Sequence, residues 1–360
     1  MLKRIVYKWL RAKKIPRYYA IKLSDQIVTE FFNYRFSFKQ KMWALRHGFL
    51  PSKIISYGLN NKNIGYYVSD FDYYRSYPIN KQFQHWINDK LTTYFILKPF
   101  SIHLPKIYCL INRTQQIVSI DNQDHIIIKN IEDILQLLHQ KNRLALKPNG
   151  SSLGAGFFKL ECNADQYYLN GVCHSKNDLL LKLSSLKNYL VSEYIVNHKA
   201  LDKIYDQSTN TVRIMVIQPN EHAVKAVHGY MRFGTSKTGA VDNINAGGIS
   251  ATINMKTGNF SRPKMFLNNS MQDISCHPDT NHPLTGTIPN WEEIKKGVLE
   301  IALYLSPLSY MGFDVAVTDD GFKIIEINSH QAISTYQSYE PLYKSPQAGE
   351  FFKILCKKSL

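Results

Sequence analysis

A chain of 360 residues, 44% hydrophobic and 12% aromatic, can bury a sizeable core and fill two or three lobes, so it reads as globular. No apolar run approaches the roughly 20 residues that span a bilayer, and charges interrupt the segment from Met1 to Val6 too often for a signal peptide, so a cytoplasmic location is expected. The formal charge of +16 gathers at one end, because residues 1–60 hold thirteen Lys and Arg against only Asp25 and Glu30, a balance of +11.

Residues 1–60 alternate apolar and basic positions at helical spacing and are expected to be helical. Within them Lys3, Arg4, Lys8, Trp9, Arg11, Lys13, Lys14, Arg17, Tyr18 and Tyr19 form a basic, aromatic leader. Such a leader suits an anionic membrane surface, an acidic polysaccharide or a nucleic acid, and a solvated helical face is the plain alternative. Residues 1–22 are expected to dock on an anionic surface and to be separable from the chemistry. A helix is expected from Trp86 to Leu97, broken by Pro99 and Pro105 before a strand at 107–111. Residues 131–141 have amphipathic helical spacing, and Leu144-Ala145-Leu146-Lys147 reads as a buried strand running into a glycine loop. Further strands are expected at 189–196, 211–218, 223–232, 312–318 and 322–327, with a helix at 291–305 opened by Asn290. The pattern is α+β. The cysteines Cys109, Cys162, Cys173, Cys276 and Cys356 are scattered and never spaced as Cys-x-x-Cys, which favours buried thiols over disulfides or zinc.

Two constellations carry chemistry. The first is Lys147-Pro148-Asn149-Gly150-Ser151-Ser152-Leu153-Gly154-Ala155-Gly156, a lysine at a strand end followed by small residues. Glycines let backbone N–H groups approach phosphate oxygens, serine hydroxyls add donors and the lysine adds charge, although a structural turn is the commoner meaning of such a loop alone. The second is a hairpin, Gly312-Phe313-Asp314-Val315-Ala316 with Glu326-Ile327-Asn328 across a turn at Asp319-Asp320-Gly321. Alternation places Asp314, Glu326 and Asn328 where two carboxylates and an amide oxygen converge, a hard-oxygen set that suits Mg²⁺ together with substrate phosphates.

The ordered set Asp89-Lys90, Lys147 with its loop, Glu193-Tyr194-Ile195, Arg213, Asp314 and Glu326-x-Asn328 resembles the ATP-grasp superfamily, which includes the D-Ala-D-Ala ligases and the glutamate-adding ligases, over residues 85–335. Asn210-Thr211-Val212-Arg213-Ile214, Arg232-Phe233-Gly234, the segment from Val241 to Ile249, His277-Pro278-Asp279-Thr280 and the segment from Ile288 to Glu293 are similar to the branch called sugar-transfer-associated ATP-grasp.

The resemblance implies an ATP-grasp fold in which two α+β subdomains, 85–196 and 197–360, close over ATP behind a basic helical region at 1–84. It implies ATP and one or two Mg²⁺ ions, with Mn²⁺ as a substitute. Lys90 and Lys147 would contact the phosphates beside Gly150, Ser151, Ser152 and Gly154. Glu193, Tyr194 and Ile195 would form the adenine hinge, and Asp202 would meet the ribose. Asp314, Glu326 and Asn328 would hold the metal. Arg213 would stabilise the γ-phosphate and the tetrahedral intermediate, and Asn243 matches an asparagine near the acceptor of the glutamate-adding relatives. The chain also departs from the pattern. Gly312 stands where D-Ala-D-Ala ligases carry an arginine, Ser329-His330-Gln331-Ala332 replaces a common Pro-Gly turn, and Ala246 stands where glutamate-adding ligases have an arginine.

The implied activity is carboxylate-amine ligation through an acyl phosphate, in bacterial surface polysaccharide or glycoconjugate assembly. Its partners would be a small-molecule carboxylate, an amino acid or a sugar acid, and an amine acceptor, with an anionic membrane as a peripheral contact and nucleic acid not expected. The alternatives are a kinase or phosphotransferase, and an ATP-binding module docked on a membrane or polyanion. His277, His282 and His330 are more simply structural than catalytic.

Overall fold

The computed structural model describes the chain except residues 34–35, 121–126, 151–154, 221–222, 268–269 and 358–360. The expected helices of the first 60 residues are α1 (Leu2–Ala12), α2 (Arg17–Asn33), α3 (Phe38–Arg46) and α4 (Lys53–Ser56), followed by α5 (Asp70–Arg75). A reciprocal cap opens α3, with Ser37 Oγ accepting from the Gln40 N–H and Gln40 Oε1 accepting from the Ser37 N–H.

Residues 1–22 are not a detachable leader. Leu10, Ile15, Tyr19 and Ala20 are buried in one core with Leu23, Ile27, Leu45, Leu50 and Phe71. Burying Leu10 and Ile15 stabilises the fold by about 1.5–3 kcal/mol each, a large share of the total for a marginally stable domain. The basic side chains lie on the outer face of that packing, which is why alternating apolar and basic positions were compatible with both expectations.

The single helix expected from Trp86 to Leu97 is divided into α6 (His85–Asn88) and α7 (Lys90–Ile96). Asp89 between them is extended (φ −110°, ψ 119°), and its carboxylate accepts from the Thr92 N–H. An aspartate that can cap a helix restarts it there instead of continuing it.

The smaller sheet contains β1 (Ile107–Ile111), β2 (Ile117–Ser119), β3 (Arg143–Pro148), β4 (Phe158–Asn163), β5 (Gln166–Leu169), β6 (Val172–His174) and β7 (Tyr189–Glu193). Its order is β2-β1-β7-β3-β4-β5-β6, all antiparallel. Helices α8 (Ile131–Lys141) and α9 (Lys176–Ser185) cover one face, where Leu144, Leu146 and Val191 meet Ile134, Leu138 and Leu183. Strand alternation therefore turns Ala145, Lys147, Leu190 and Ser192 to the other face.

After α10 (Lys199–Asp202), the larger sheet contains β8 (Thr211–Asn220), β9 (Ala223–Phe233), β10 (Ile249–Ile253), β11 (Asn259–Leu267), β12 (Ser270–Asp273), β13 (Gly286–Thr287), β14 (Tyr310–Thr318) and β15 (Gly321–Asn328). Its order is β12-β11-β10-β9-β8-β14-β15, with β13 on β11. One face packs on α11 (Trp291–Tyr304) through Val212, Ile214, Phe313 and Val315. Gly297 is needed for that approach, since a Cβ there would lie 2.5 Å from the Phe322 ring. The other face is covered by α12 (Ser334–Gln337), α13 (Gly349–Lys357) and the N-terminal region, where Met215, Tyr230 and Tyr310 join Tyr73, Tyr336 and Phe352. Among the described residues no helix is long and apolar enough to cross a membrane.

Candidate active site

The face of the smaller sheet that carries Lys147 and strand β15 of the larger one flank an open cleft, lined by Lys90, Lys147, Leu190, Ser192, Glu326 and apolar neighbours including Ile87, Ile107 and Ile324. Two lysines of distant sequence position meet there because of Asn149. Its Oδ1 accepts from the Leu91 N–H (3.0 Å), its Nδ2 donates to Asp89 (2.6 Å), and its carbonyl accepts from the Lys90 N–H (3.4 Å). The end of β3 is thus tied to the start of α7. Lys90 reaches Glu326 at 3.4 Å. Burial, and then the charge of Lys90, push the Lys147 ammonium down to about 8 against the opposing pull of Glu326 and Glu193. Two cations in a partly dehydrated cleft would be stabilised by a polyanion placed between them.

Gly150 is exposed, with no atom within 4 Å of where a Cβ would stand, so packing does not require glycine there. Ser151, Ser152 and Gly154 lie outside the described residues. Glu193 accepts from the Lys106 N–H (3.2 Å). Tyr194, Ile195 and Asp202 line a second crevice with Arg143, Lys159 and Glu161. In it Asp202 accepts from Asn197 (2.9 Å), Lys159 lies over the Tyr194 ring (5.1 Å) and the Ile195 carbonyl accepts from Thr209 Oγ1 (3.0 Å).

On the larger sheet the register sets Glu326 opposite Asp314, Asp314 opposite Arg213, and Arg213 opposite Tyr230, one row across four strands. Asp314 is buried and clasped by two guanidiniums. Arg213 donates to it through Nε and through Nη2 (2.9 Å), and Arg232 Nη2 lies 3.2 Å away. Arg232 is anchored from behind by Thr211 Oγ1 (2.9 Å from Nε) and by Asp242 (3.3 Å), whose carboxylate also takes the Thr211 N–H (2.9 Å). Burial alone would raise the Asp314 carboxyl, but Arg213 first and Arg232 next outweigh it and hold it below the usual carboxylate range.

Asn328 Nδ2 donates to the Gly312 carbonyl (3.3 Å), which leaves its amide oxygen available. Among the described residues Asn328 therefore offers a free amide oxygen and Glu326 a carboxylate paired with Lys90 at 3.4 Å, while Asp314 is already committed to the arginines. Among the described residues no group of three His, Cys, Asp or Glu side chains forms a metal cage. This donor set fits a hard cation that draws further ligands from phosphate oxygens.

Asn243 accepts from the Asn245 N–H (3.0 Å) and its carbonyl from the Gly248 N–H (3.0 Å), so it shapes the loop; its neighbour Asp242 joins the arginine network. His277 is structural, with Nε2 on the Gly234 carbonyl (2.8 Å) and the ring stacked on Tyr205 (4.7 Å). His282 is half-buried, and His330 packs against Tyr73 (4.3 Å), away from the cleft lining. At position 312 a Cβ would stand 2.4 Å from the Gln331 amide oxygen, so a larger residue there would have to displace the Gln331 side chain. Sequence reasoning assigned no role to Arg232, Asp242, Thr211 or Asn149. Positions 211, 213, 230 and 232 share a face only once the hairpin register is known.

A family model described as sugar-transfer associated ATP-grasp matches residues 69–341. Among solved structures, the ATP-grasp ligase PsnB in complex with precursor peptide PsnA2 and AMPPNP is similar at 12% identity and TM-score 0.40, covering 78% of this chain and 60% of that one. D-alanine–D-alanine ligase from Bacillus anthracis is similar at 11% identity and TM-score 0.40, covering 76% and 67%. D-alanyl-alanine synthetase A from Vibrio cholerae is similar at 9% identity and TM-score 0.45, covering 76% and 65%. The chain thus spans about 60% of the length of the PsnB ligase. No curated protein sequence matches.

The clasp changes what Asp314→Asn is expected to do. Removing that charge leaves Arg213 and Arg232 buried with one carboxylate fewer between them, so unfolding in urea should show a loss of about 3–5 kcal/mol. Glu326→Gln, a partly exposed group with one long ion pair, should lose under about 1 kcal/mol. Equal stability of the two variants would show that the clasp is not a structural counterion pair.

Proposed function

The chain belongs to the sugar-transfer-associated ATP-grasp family, and from that premise we propose that it uses ATP to activate a carboxylate and joins it to an amine, releasing ADP and phosphate. The observation that carries this reading is the meeting of Lys90, Lys147 and Glu326 in one cleft beside the arginine clasp.

In this reading Lys90 and Lys147 bind the triphosphate, and the apolar walls at Ile107, Leu190 and Ile324 take the base. Tyr194, Ile195 and Asp202 line the second crevice, so their expected contacts with the base and ribose, beside Glu193, require the nucleotide to extend from the cleft toward that crevice. Glu326 and Asn328, with Asp314, would hold Mg²⁺, or Mn²⁺ in its place, and the ion would supply charge neutralisation for transfer of the γ-phosphoryl group. The substrate carboxylate attacks the γ-phosphorus and the bond to the ADP oxygen breaks. The amine then attacks the acyl carbon, the bond from that carbon to phosphate breaks, and the nitrogen gives up a proton as the amide forms. Arg213 stabilises the transferring group and the tetrahedral intermediate, and removing such a donor typically costs on the order of 10²–10³ in turnover. The loop shaped by Asn243 borders the acceptor.

The carboxylate is an amino acid or a sugar acid, the acceptor an amino compound or amino sugar, and the setting is surface polysaccharide or glycoconjugate assembly on the cytoplasmic side. Incubation with Mg-ATP and pools of amino acids, sugar acids and amino sugars should yield ADP and phosphate only when a carboxylate and an amine are both present. Release of AMP and pyrophosphate, or phosphate transfer to a single substrate, would replace ligation with another reaction.

The Lys147 ammonium titrates near 8, so raising the pH through that value removes a charge from the cleft. Nucleotide affinity measured by calorimetry should fall over that interval in the wild type. In Lys147→Met it should be weak throughout with that pH dependence gone, and in Lys62→Met, an exposed site outside the cleft, it should be unchanged.

Contact with an anionic bilayer is supported by α1, where Leu2 (43% exposed), Ile5 (56%) and Trp9 (36%) form an outward stripe beside Lys3, Arg4, Lys8 and Arg11. Each basic residue near such a surface contributes about 1 kcal/mol, screened by salt. Leu2→Glu with Ile5→Glu should abolish low-salt cosedimentation with anionic vesicles and leave turnover of soluble substrates intact. Retained binding would assign the interaction to another surface.

A further inference from the structure

Asp314 cannot serve a cation and two guanidiniums in the same way at once. The two arginines are held unequally. Arg232 is fixed by Thr211 and Asp242 as well as by Asp314, whereas Asp314 is the hydrogen-bond partner of Arg213 among the described residues. Next to the clasp stand Glu326, directly across the strand pair, and the available amide oxygen of Asn328. The two arginines, Asp314 and Asp242 together are neutral, so a divalent cation placed at Asp314 without an accompanying polyanion meets two nearby positive charges.

We propose that Asp314 is an exchangeable counterion. In the nucleotide-free protein it neutralises Arg213 and Arg232. When the cation arrives with the nucleotide, the Asp314 carboxylate turns toward it, and Arg213, losing its partner, turns its guanidinium to the incoming anion. Arg232 stays anchored on Asp242 and Thr211 and acts as a positioning residue that keeps Asp314 in place. Cation binding and arginine release are then one coupled event, and the protein holds the cation weakly until nucleotide supplies the compensating charge. This rests on the reading of Glu326, Asn328 and Asp314 as the cation donors.

The test is Mn²⁺ binding followed by electron paramagnetic resonance, with and without a non-hydrolysable ATP analogue, in the full chain. The wild type should bind Mn²⁺ at least tenfold more tightly with the analogue. Arg213→Gln removes the competitor for Asp314 while Arg232 still neutralises it, so Mn²⁺ affinity without nucleotide should rise about tenfold even as turnover falls. Arg213→Lys, which keeps the charge but not the fork, should fall between the two. Unchanged or weaker Mn²⁺ binding in Arg213→Gln, with the nucleotide-dependent site intact, overturns the exchange and makes the arginine a static support. Wild-type affinity that ignores nucleotide overturns it without any variant. Absence of Mn²⁺ binding even with the analogue instead removes the cation site itself, and the proposed function with it.

Discussion

A guanidinium buried in a β-sheet needs an opposite charge within hydrogen-bond reach, and the centre of the larger sheet holds two guanidiniums and two carboxylates. Much of the local architecture follows from that need. The register of β8 on β14 has to place Arg213 opposite Asp314, and the β8–β9 hairpin has to bring Arg232 beside Thr211. The loop after β9 has to fold back tightly enough for Asp242 to reach the Thr211 N–H. Gly248 permits this, since a Cβ there would stand 2.9 Å from the Asn243 backbone. Even the glycine at position 312 belongs to the same arrangement. The Gln331 side chain occupies the space above it, donating to the Met311 carbonyl (3.1 Å) and accepting from the Tyr336 hydroxyl (2.8 Å). Positive charge reaches Asp314 from neighbouring strands instead of from its own.

The cleft depends on a second, smaller device. Lys147 belongs to the smaller sheet, while Ile87, Tyr94 and Leu97 around Lys90 pack in the core of the larger one. Asn149 links them through hydrogen bonds to Asp89, Lys90 and Leu91. The same tie fixes the N-cap of α7, so the break in the helix at Asp89 and the pairing of the two lysines have one cause. Glu326, reached by Lys90, then joins this cluster to the row that carries Asp314.

Elements with a strong local period were legible in the sequence. Ile131–Lys141 has its apolar residues at helical spacing, and Asn130 with Asp133 forms the reciprocal cap. The hairpin from Tyr310 to Asn328 shows its alternation and its turn. Strands β4, β5 and β6 did not stand out, because at this rim of the sheet polar residues such as Lys159, Glu161, Gln166 and Tyr168 interrupt the apolar ones. Lys147 and Glu326 stood out by chemistry and spacing and Lys90 by the family resemblance alone, and the fold brings the three to one cleft. Arg232 and Asp242 were not, because their role depends on which strand lies beside which, and nothing in Met231-Arg232-Phe233 specifies its neighbours. The arginine partners of Asp314 were hidden for the same reason, since an acid flanked by Phe313 and Val315 reveals its burial but not what it pairs with.

The N-terminal region shows how a feature that looks separable in sequence is structurally continuous with the site. His330 follows Asn328 by two residues and is stacked on Tyr73 at 4.3 Å, with Tyr19 at 5.1 Å and Tyr77 at 5.3 Å around it. Burial pushes its imidazole down to about 3, so it stays neutral at ordinary pH. Ser329, between the two, donates to Asn88 (2.6 Å), and Asn80 donates to the Tyr310 carbonyl (2.7 Å). The end of β15, which carries the oxygen donors, is therefore held by residues from α2, from the segment around Tyr73 and Tyr77, and from α6. A core runs from Leu10 through Tyr19 to this point without a linker.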